Sequence, residues 1–302
     1  MEVERIKEQL GFHDLALVPA KRLDAMASVL MKRKEAGEML SIEPEDINAR
    51  LDPAGSLPSA KSIFVAFEQV PFTDVEPESK KGYGRLASFS RDTDYHLLLN
   101  EKMDRLEEYL RSAYPEGEYY RQVDTGPLYE RGFAAMTGKG YIGRNGSFIH
   151  SRLGSYVAIG LLLTNLEGGE ACEMSSDCGD CRACVDACPG GAIEFTGILH
   201  PGRCRSWITQ KRGELTEGER AVMADWLYGC DVCQMVCPKN KGIEAVYESR
   251  DPVHHICLDG LEEESNRSFK QRYGRLSGSW RGKKQWVKNA AYIRRYFNER
   301  KK

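Results

Sequence analysis

The sequence has no apolar segment fit to carry it into or across a membrane. Its N-terminus, Met-Glu-Val-Glu-Arg-Ile-Lys, lacks an apolar signal region. The longest apolar run, Tyr156 to Leu163 with one glycine, is too short to span a bilayer. Repeats and low-complexity stretches are absent, and the net charge is only −2. With nothing to export it, the chain is expected in the cytoplasm, where thiols stay reduced, so its cysteines do not read as a disulfide framework. What remains is a soluble chain of 302 residues, 41% hydrophobic and 29% charged, long enough for two domains with proper cores.

Against those absences, the cysteines stand out. The stretch Cys178-Gly-Asp-Cys181-Arg-Ala-Cys184-Val-Asp-Ala-Cys188-Pro189 is the ferredoxin run C-x2-C-x2-C-x3-C-P. In that run three cysteines hold one 4Fe–4S cluster and the fourth crosses to another. The ending C-x2-C-x3-C-P recurs as Cys230-Asp-Val-Cys233-Gln-Met-Val-Cys237-Pro238, with its leading cysteine displaced upstream to Cys204. Crossing the fourth ligands assigns Cys178, Cys181, Cys184 and Cys237 to cluster one, and Cys188, Cys204, Cys230 and Cys233 to cluster two. Zinc sites use isolated groups of four and give no reason for a doubled Cys-Pro ending. Cys172 and Cys257 are left over and read as passive thiols.

The rest of the chain alternates helix and strand signals. Residues 3–11 read as an amphipathic helix, Leu15–Pro19 as a strand, and Leu23–Ala36 as a helix ended by Gly37. Asp52 to Pro58 is rich in turn residues, and Ser62–Glu68 is a clear strand. Residues 71–84 look like a polar surface loop. Tyr95–Ala113 has helical period, with Leu97, Leu98, Met103, Leu106 and Leu110 expected inward. Tyr119–Asp124 reads as a strand, Leu128–Met136 as a helix, and Tyr156–Thr164 as a strand covered on both faces. A final helix is expected over Gly282–Arg300.

Two tempting motifs fail on context. Gly138-Lys-Gly140-Tyr-Ile-Gly143 and Gly82-Tyr-Gly84-Arg-Leu-Ala87 resemble dinucleotide fingerprints, but neither follows a strand and opens a helix. Asp94-Tyr95-His96 begins the D-x-H-x-x-G pattern of cobalt-ligating histidines, yet Leu99 occupies the glycine position. His96 therefore reads as a helix-start or hydrogen-bonding residue.

Charge is unevenly spread. Residues 267–302 hold thirteen Lys/Arg against the single acid Glu299, leaving a net −14 on residues 1–266. The tail also carries Phe269, Tyr273, Trp280, Trp286, Tyr292, Tyr296 and Phe297. Cations for phosphates and aromatic faces for unpaired bases suit an RNA partner. A solvated helix whose aromatics pack on the body fits equally well.

Several motifs together resemble the epoxyqueuosine reductase family. They are Val123-Asp124-Thr-Gly-Pro-Leu-Tyr-Glu130-Arg131, Gly138-Lys-Gly-Tyr-Ile-Gly-Arg144-Asn145, Gly154-Ser155-Tyr156, Arg50-Leu-Asp52-Pro53 with Leu57-Pro58, Asp94-Tyr95-His96, and the second cysteine run. The resemblance covers residues 1–285. It departs from the family pattern at Phe89-Ser-Arg-Asp-Thr93, Tyr141 and Tyr156.

The resemblance implies a cobalamin-dependent, two-cluster iron–sulfur enzyme that removes the epoxide oxygen of epoxyqueuosine at the tRNA wobble position, giving queuosine. An external one-electron donor such as flavodoxin or ferredoxin supplies electrons through the clusters to cobalamin. Asp124 matches the family's proton donor; its residue type alone suggests a turn cap. Cobalamin contacts are expected from Arg50, Ser88, Asp124, Phe148, Ile159, Leu162, Ser206, Thr209 and Asp231, and Lys211 is the candidate tRNA contact. Longer members continue into a helical-repeat domain, so the basic aromatic tail is the stretch expected to meet RNA here. A monomer is implied. The expected fold is α+β: a layered α/β cobalamin-binding domain over residues 1–165, a ferredoxin-like double 4Fe–4S domain over 166–245, and a short basic C-terminal helical tail over 246–302.

Overall fold

The computed structural model describes residues 2–72, 77–174, 176–247 and 251–299. The elements in chain order are α1 (Val3–Leu10), β1 (Asp14–Pro19), α2 (Asp24–Glu35), α3 (Ile47–Leu51), β2 (Ser62–Gln69), β3 (Tyr83–Leu86), α4 (Tyr95–Ala113), β4 (Tyr119–Val123), α5 (Glu130–Ala135), β5 (Gly140–Ile142), β6 (Phe148–His150) and β7 (Val157–Thr164). They continue with α6 (Ala183–Ala187), α7 (Arg205–Ile208), α8 (Glu217–Met223), β8 (Trp226–Tyr228), α9 (Val232–Met235), β9 (His255–Cys257), α10 (Asn266–Tyr273) and α11 (Lys283–Glu299). The chain packs as two compact units, each drawn from separate stretches: Met1–Gln69, His96–Cys181 and Ile243–Val246 in one, Val70–Tyr95, Arg182–Gly242 and Tyr247–Lys302 in the other.

The first unit is built on a four-stranded sheet in the order β1-β2-β7-β4. Every pairing is antiparallel, with Phe64 opposite Leu162 and Phe67 opposite Ile159. The central strands β2 and β7 are buried almost throughout, which explains their unbroken apolar sequence. One side of the sheet carries a core of Val18, Ile63, Val65, Phe67, Phe133, Phe148, Leu161 and Leu163. On the other, Gly160 lets Met103 and Leu99 of α4 come close to the strand.

The phase of α4 corrects the expected inward face. Leu99, Met103, Leu106 and Leu110 are buried, whereas Leu97 is 58% exposed and Leu98 36% exposed. Spacings of four, three and four residues keep the buried set on one helix face, and Leu97 falls away from it. The segment Gly138 to Gly143 lies in a β5–β6 hairpin, with Gly140 opposite His150. A Cβ at Gly140 would collide with the Ile149 carbonyl oxygen, so this glycine serves close backbone approach, not a dinucleotide.

In the second unit β3 lies between β8, which it pairs in parallel, and β9, which it pairs antiparallel. The expected loop over residues 71–84 therefore ends early: Tyr83 and Gly84 open a strand, and Gly84 has no room for a side chain against Leu227. Residues 73–76 of that loop lie outside the described residues. The core of this unit joins Leu86, Met223, Leu227, Tyr228, Ile256 and Leu258 to Phe269, Tyr273, Trp286, Ala290 and Ile293. The C-terminal segment is thus a structural part of its unit. Phe269, Tyr273 and Trp286 pack on one another, with ring centroids 5.1–5.3 Å apart. Of the tail aromatics, Trp280 is exposed, at 55%.

Candidate functional site

The cysteine runs fold as single turns. Helix α6 follows Cys181 and carries Cys184, ending at Cys188; α9 follows Cys230 and carries Cys233. Pro189 and Pro238 then redirect the chain, the latter opening a short 3-10 turn. In the second unit the four thiols assigned to cluster two act on one another. Burial pushes the Cys204 thiol up, and the Cys188 charge adds to it. Burial pushes Cys230 up to about 12, with the Cys204 and Asp231 charges adding to it. Cys233 is raised well above its ordinary range by burial and then by Cys230, Cys204, Cys188 and Cys184. Three thiols held un-ionised by burial, Cys204, Cys230 and Cys233, suit a cationic iron–sulfur core that takes them as thiolates and releases their protons.

Backbone N–H groups also point at sulfur, as a cluster's thiolates require. The Ala192 N–H donates to Cys188 Sγ at 3.2 Å, and the Arg144 N–H to Cys178 Sγ at 3.3 Å. The Arg144 guanidinium holds the same loop by donating to the Gly179 carbonyl at 2.8 Å and to the Cys181 carbonyl. Spacing gave Arg144 no such role. Cys178 and Cys181 belong to the first unit, Cys184 and Cys237 to the second. Cys172 and Cys257 are exposed free thiols.

Polar residues expected at a cofactor are heavily engaged in the second unit. The Asp231 carboxylate accepts from the Ser88 N–H at 2.6 Å and its hydroxyl at 2.9 Å. Thr209 Oγ1 accepts from the Gly229 N–H at 2.9 Å and donates to the Ser206 carbonyl at 2.8 Å. Gln285 and Asn289 of α11 donate to the Thr209 carbonyl, at 3.0 and 2.7 Å. These two α11 residues were invisible in the sequence because a buried amide looks like any surface amide until its partners are known.

In the first unit, Arg50 is buried beside Glu43 and its guanidinium stands 5.4 Å from the Tyr129 ring centroid. Phe148 stacks on Phe67 at 5.3 Å. Ile159 and Leu162 sit three apart on β7, so their side chains leave opposite faces, Ile159 into the core that holds Phe148. One pocket wall can take at most one of them by its side chain.

Asp124 follows the last residue of β4 and adopts φ +54°, the left-handed region that Asp tolerates better than most. Its side chain is 61% exposed, with Oδ2 3.2 Å from Nε2 of His96, the second residue of α4. The expectation that His96 opens a helix and hydrogen-bonds is met. Behind the loop, the Asp124 N–H donates to Glu130 Oε1 at 2.6 Å, and Gln122 Nε2 donates to the same oxygen at 3.1 Å. Burial raises the Glu130 carboxyl to about 8, with the Asp124 charge adding to it. The arrangement sets one exposed carboxyl beside an imidazole, backed by a second carboxyl that burial holds neutral at pH 7.

Residues 177–240 match the family model of the 4Fe-4S double cluster binding domain, so the chain is a two-cluster iron–sulfur protein. Residues 50–125 match the model for epoxyqueuosine reductase QueG, DUF1730. An epoxyqueuosine reductase from Staphylococcus aureus is 34% identical over 96% of this chain and 78% of its own length. A crystal structure of epoxyqueuosine reductase with an epoxyqueuosine-modified tRNA-Tyr stem loop superposes with TM-score 0.90 at 33% identity, covering 98% of this chain and 80% of that one. A Bacillus subtilis epoxyqueuosine reductase, solved with its catalytic aspartate loop swung out of the active site, gives TM-score 0.88 at 32% identity over 99% and 83%. The chain belongs to the epoxyqueuosine reductase family.

Proposed function

We propose that this chain removes the epoxide oxygen of epoxyqueuosine at the tRNA wobble position, giving queuosine. Family membership supports the reaction. The observation that carries it to particular residues is the exposed Asp124 carboxyl held beside His96, in a chain that also bears two cluster-binding cysteine runs.

Removing the oxygen as water and leaving an alkene consumes two electrons and two protons. Bound at the eight cysteines, the clusters would relay single electrons from an external donor such as flavodoxin or ferredoxin, and bound cobalamin would supply the reducing chemistry for opening the epoxide. Cobalamin is the proposed second cofactor, with Arg50, Ser88, Asp124, Phe148, Ile159, Leu162, Ser206, Thr209 and Asp231 as proposed contacts. Hydroxyl and carboxyl oxygens such as those of Ser88, Thr209 and Asp231 suit its amide-bearing rim. The protein's own steps are simple. Asp124 gives its proton to the departing oxygen, and His96 orients the carboxyl for that transfer. The second proton comes from solvent.

The proposed division of labour gives cobalamin binding chiefly to residues 1–165, with Ser206, Thr209 and Asp231 the proposed contacts outside that stretch, the clusters to 166–245 and an RNA-facing extension to 246–302. Packing narrows the extension's contribution, since most of its aromatics are consumed by the core. Trp280 remains, with the Arg281 guanidinium 3.9 Å from its ring centroid, as a surface on which an unpaired base can stack. Lys211 must leave Glu219, 2.6 Å away, to reach a phosphate. A cytoplasmic monomer is proposed; no helix among the described residues is long and apolar enough to cross a membrane.

The test is anaerobic reconstitution with iron, sulfide and cobalamin, then mass spectrometry of an epoxyqueuosine-bearing tRNA stem loop. Cobalamin-dependent loss of one oxygen is the expected result. Asp124→Asn should keep clusters and cobalamin while turnover falls on the order of 100-fold or more. Near-normal turnover in that variant removes the donor role. Bound cobalamin with unchanged RNA points to a small-molecule reductase, and no cobalamin at all to an electron carrier.

A further inference from the structure

The backbone at Asp124 is held in an uncommon conformation. A non-glycine residue at φ +54° is disfavoured by Cβ crowding and persists where surrounding bonds hold it. Two neighbouring side chains, Gln122 and Glu130, supply such bonds. Gln122, 2% exposed on β4, donates from Nε2 to the Leu128 carbonyl at 2.9 Å and accepts at Oε1 from the Leu128 N–H at 3.0 Å. Its amide thereby closes the loop from Asp124 to Leu128 at both of its hydrogen-bonding ends. Gly126 packs onto that amide so tightly that a Cβ there would overlap Gln122 Oε1. Gln122 Nε2 also reaches Glu130 Oε1, the oxygen that receives the Asp124 N–H.

We propose that Glu130 is the positioning residue for Asp124: its carboxyl, anchored by Gln122 and by the first turn of α5, fastens the Asp124 N–H and fixes the left-handed kink that presents the Asp124 carboxyl beside His96. The inference rests on the proton-donor reading of Asp124. Nothing in that reading needs a residue six positions on.

The neutral state suits the task. The charged groups facing Glu130 are Asp124 from the loop and Arg131 from its own helix. Arg131 turns its guanidinium to the Gly146 carbonyl at 2.8 Å, and Arg50, on the segment that bonds Tyr129, faces Arg131. Desolvation and the Asp124 charge outweigh what opposes them, so at pH 7 Glu130 holds its proton. It then latches the loop as a neutral acceptor, its Oε1 taking both the Asp124 N–H and the Gln122 amide. A glutamine at this position would keep the same shape and an acceptor oxygen.

The experiment uses the reconstituted full chain and the modified stem loop, in single-turnover and steady-state assays. Glu130→Ala leaves the Asp124 N–H without its acceptor, and kcat should fall about 10- to 100-fold with KM changed less than about 2-fold. Glu130→Gln should restore kcat to within about 3-fold at pH 7. The deciding measurement is Asp124→Asn/Glu130→Ala. If Glu130 acts through Asp124, the double variant is no slower than Asp124→Asn alone. Equal losses from Glu130→Ala in both backgrounds would overturn the proposal, as would wild-type kcat in Glu130→Ala. Should Glu130→Ala fail to fold, Gln122→Leu in the wild-type and Asp124→Asn backgrounds carries the same test, with cluster absorbance as the folding control. Full turnover by Asp124→Asn would instead sink the proton-donor reading.

Discussion

In the second unit, four thiols that act on one another come from Cys188, Cys204, Cys230 and Cys233, set at the ends of short turns within one stretch of chain. In the first, a single carboxyl is placed by His96, Gln122 and Glu130, which belong to α4, β4 and α5. Of these thiols Cys204, Cys230 and Cys233 are held un-ionised by burial. The carboxyl is open to solvent and depends on hydrogen bonds for its direction. One site is specified by spacing and burial, the other by side-chain hydrogen bonds from three elements. They should therefore fail differently when broken.

The largest effect is expected at the dry site. Cys233→Ala removes the thiol most opposed by its neighbours, and purified protein should carry about half the wild-type iron and no reductase activity. Iron and sulfide analysis checks this. Full iron content would mean that Cys233 is not a cluster ligand. A smaller effect is expected where that spacing leans on a distant residue. Arg144→Ala frees the Gly179 and Cys181 carbonyls, and cluster absorbance should bleach about 10-fold faster under chelator with the initial iron content unchanged. Unchanged bleaching would make the cysteine loop self-supporting.

That contrast also sets how much could be read in advance. The cysteine runs were legible because ligand spacing is a local property. Strands β2 and β7 and helix α4 were legible because unbroken or periodic apolar sequence leaves few alternatives. Strand β3 was not, since Tyr83-Gly84-Arg85 looks like a turn until Leu227 and Ile256 are seen against it. Leu97 and Leu98 showed only that the helix was apolar there, not which residues the sheet would cover. The tail aromatics suited RNA or core equally well, and only packing resolved Phe269, Tyr273 and Trp286 to the core. Arg144 and Glu130 entered only as members of motifs that carried the family resemblance, and Gln122 not at all. What each does depends on which side-chain and backbone groups the fold brings to it, and such hydrogen bonds have no sequence spacing to betray them.

The smallest effect tests the carboxyl site by stability, where the thiol site is silent. Unfolded, Glu130 titrates near 4.5; folded, it is held near 8. Between those values the folded protein binds a proton that the unfolded chain has released, so this group's contribution falls as pH rises and levels off above about 8. Glu130→Gln has no proton to lose. Its melting temperature relative to wild type should therefore climb between about pH 5 and pH 8, by up to about 1 kcal/mol or 2 °C per pH unit, and then hold steady. Differential scanning fluorimetry of the two reconstituted proteins in matched buffers reads this directly. Parallel curves would place a carboxylate, not a neutral carboxyl, behind Asp124. An anionic latch would favour the protonated form of Asp124, and Glu130→Gln should then lower turnover at pH 7 instead of merely preserving it.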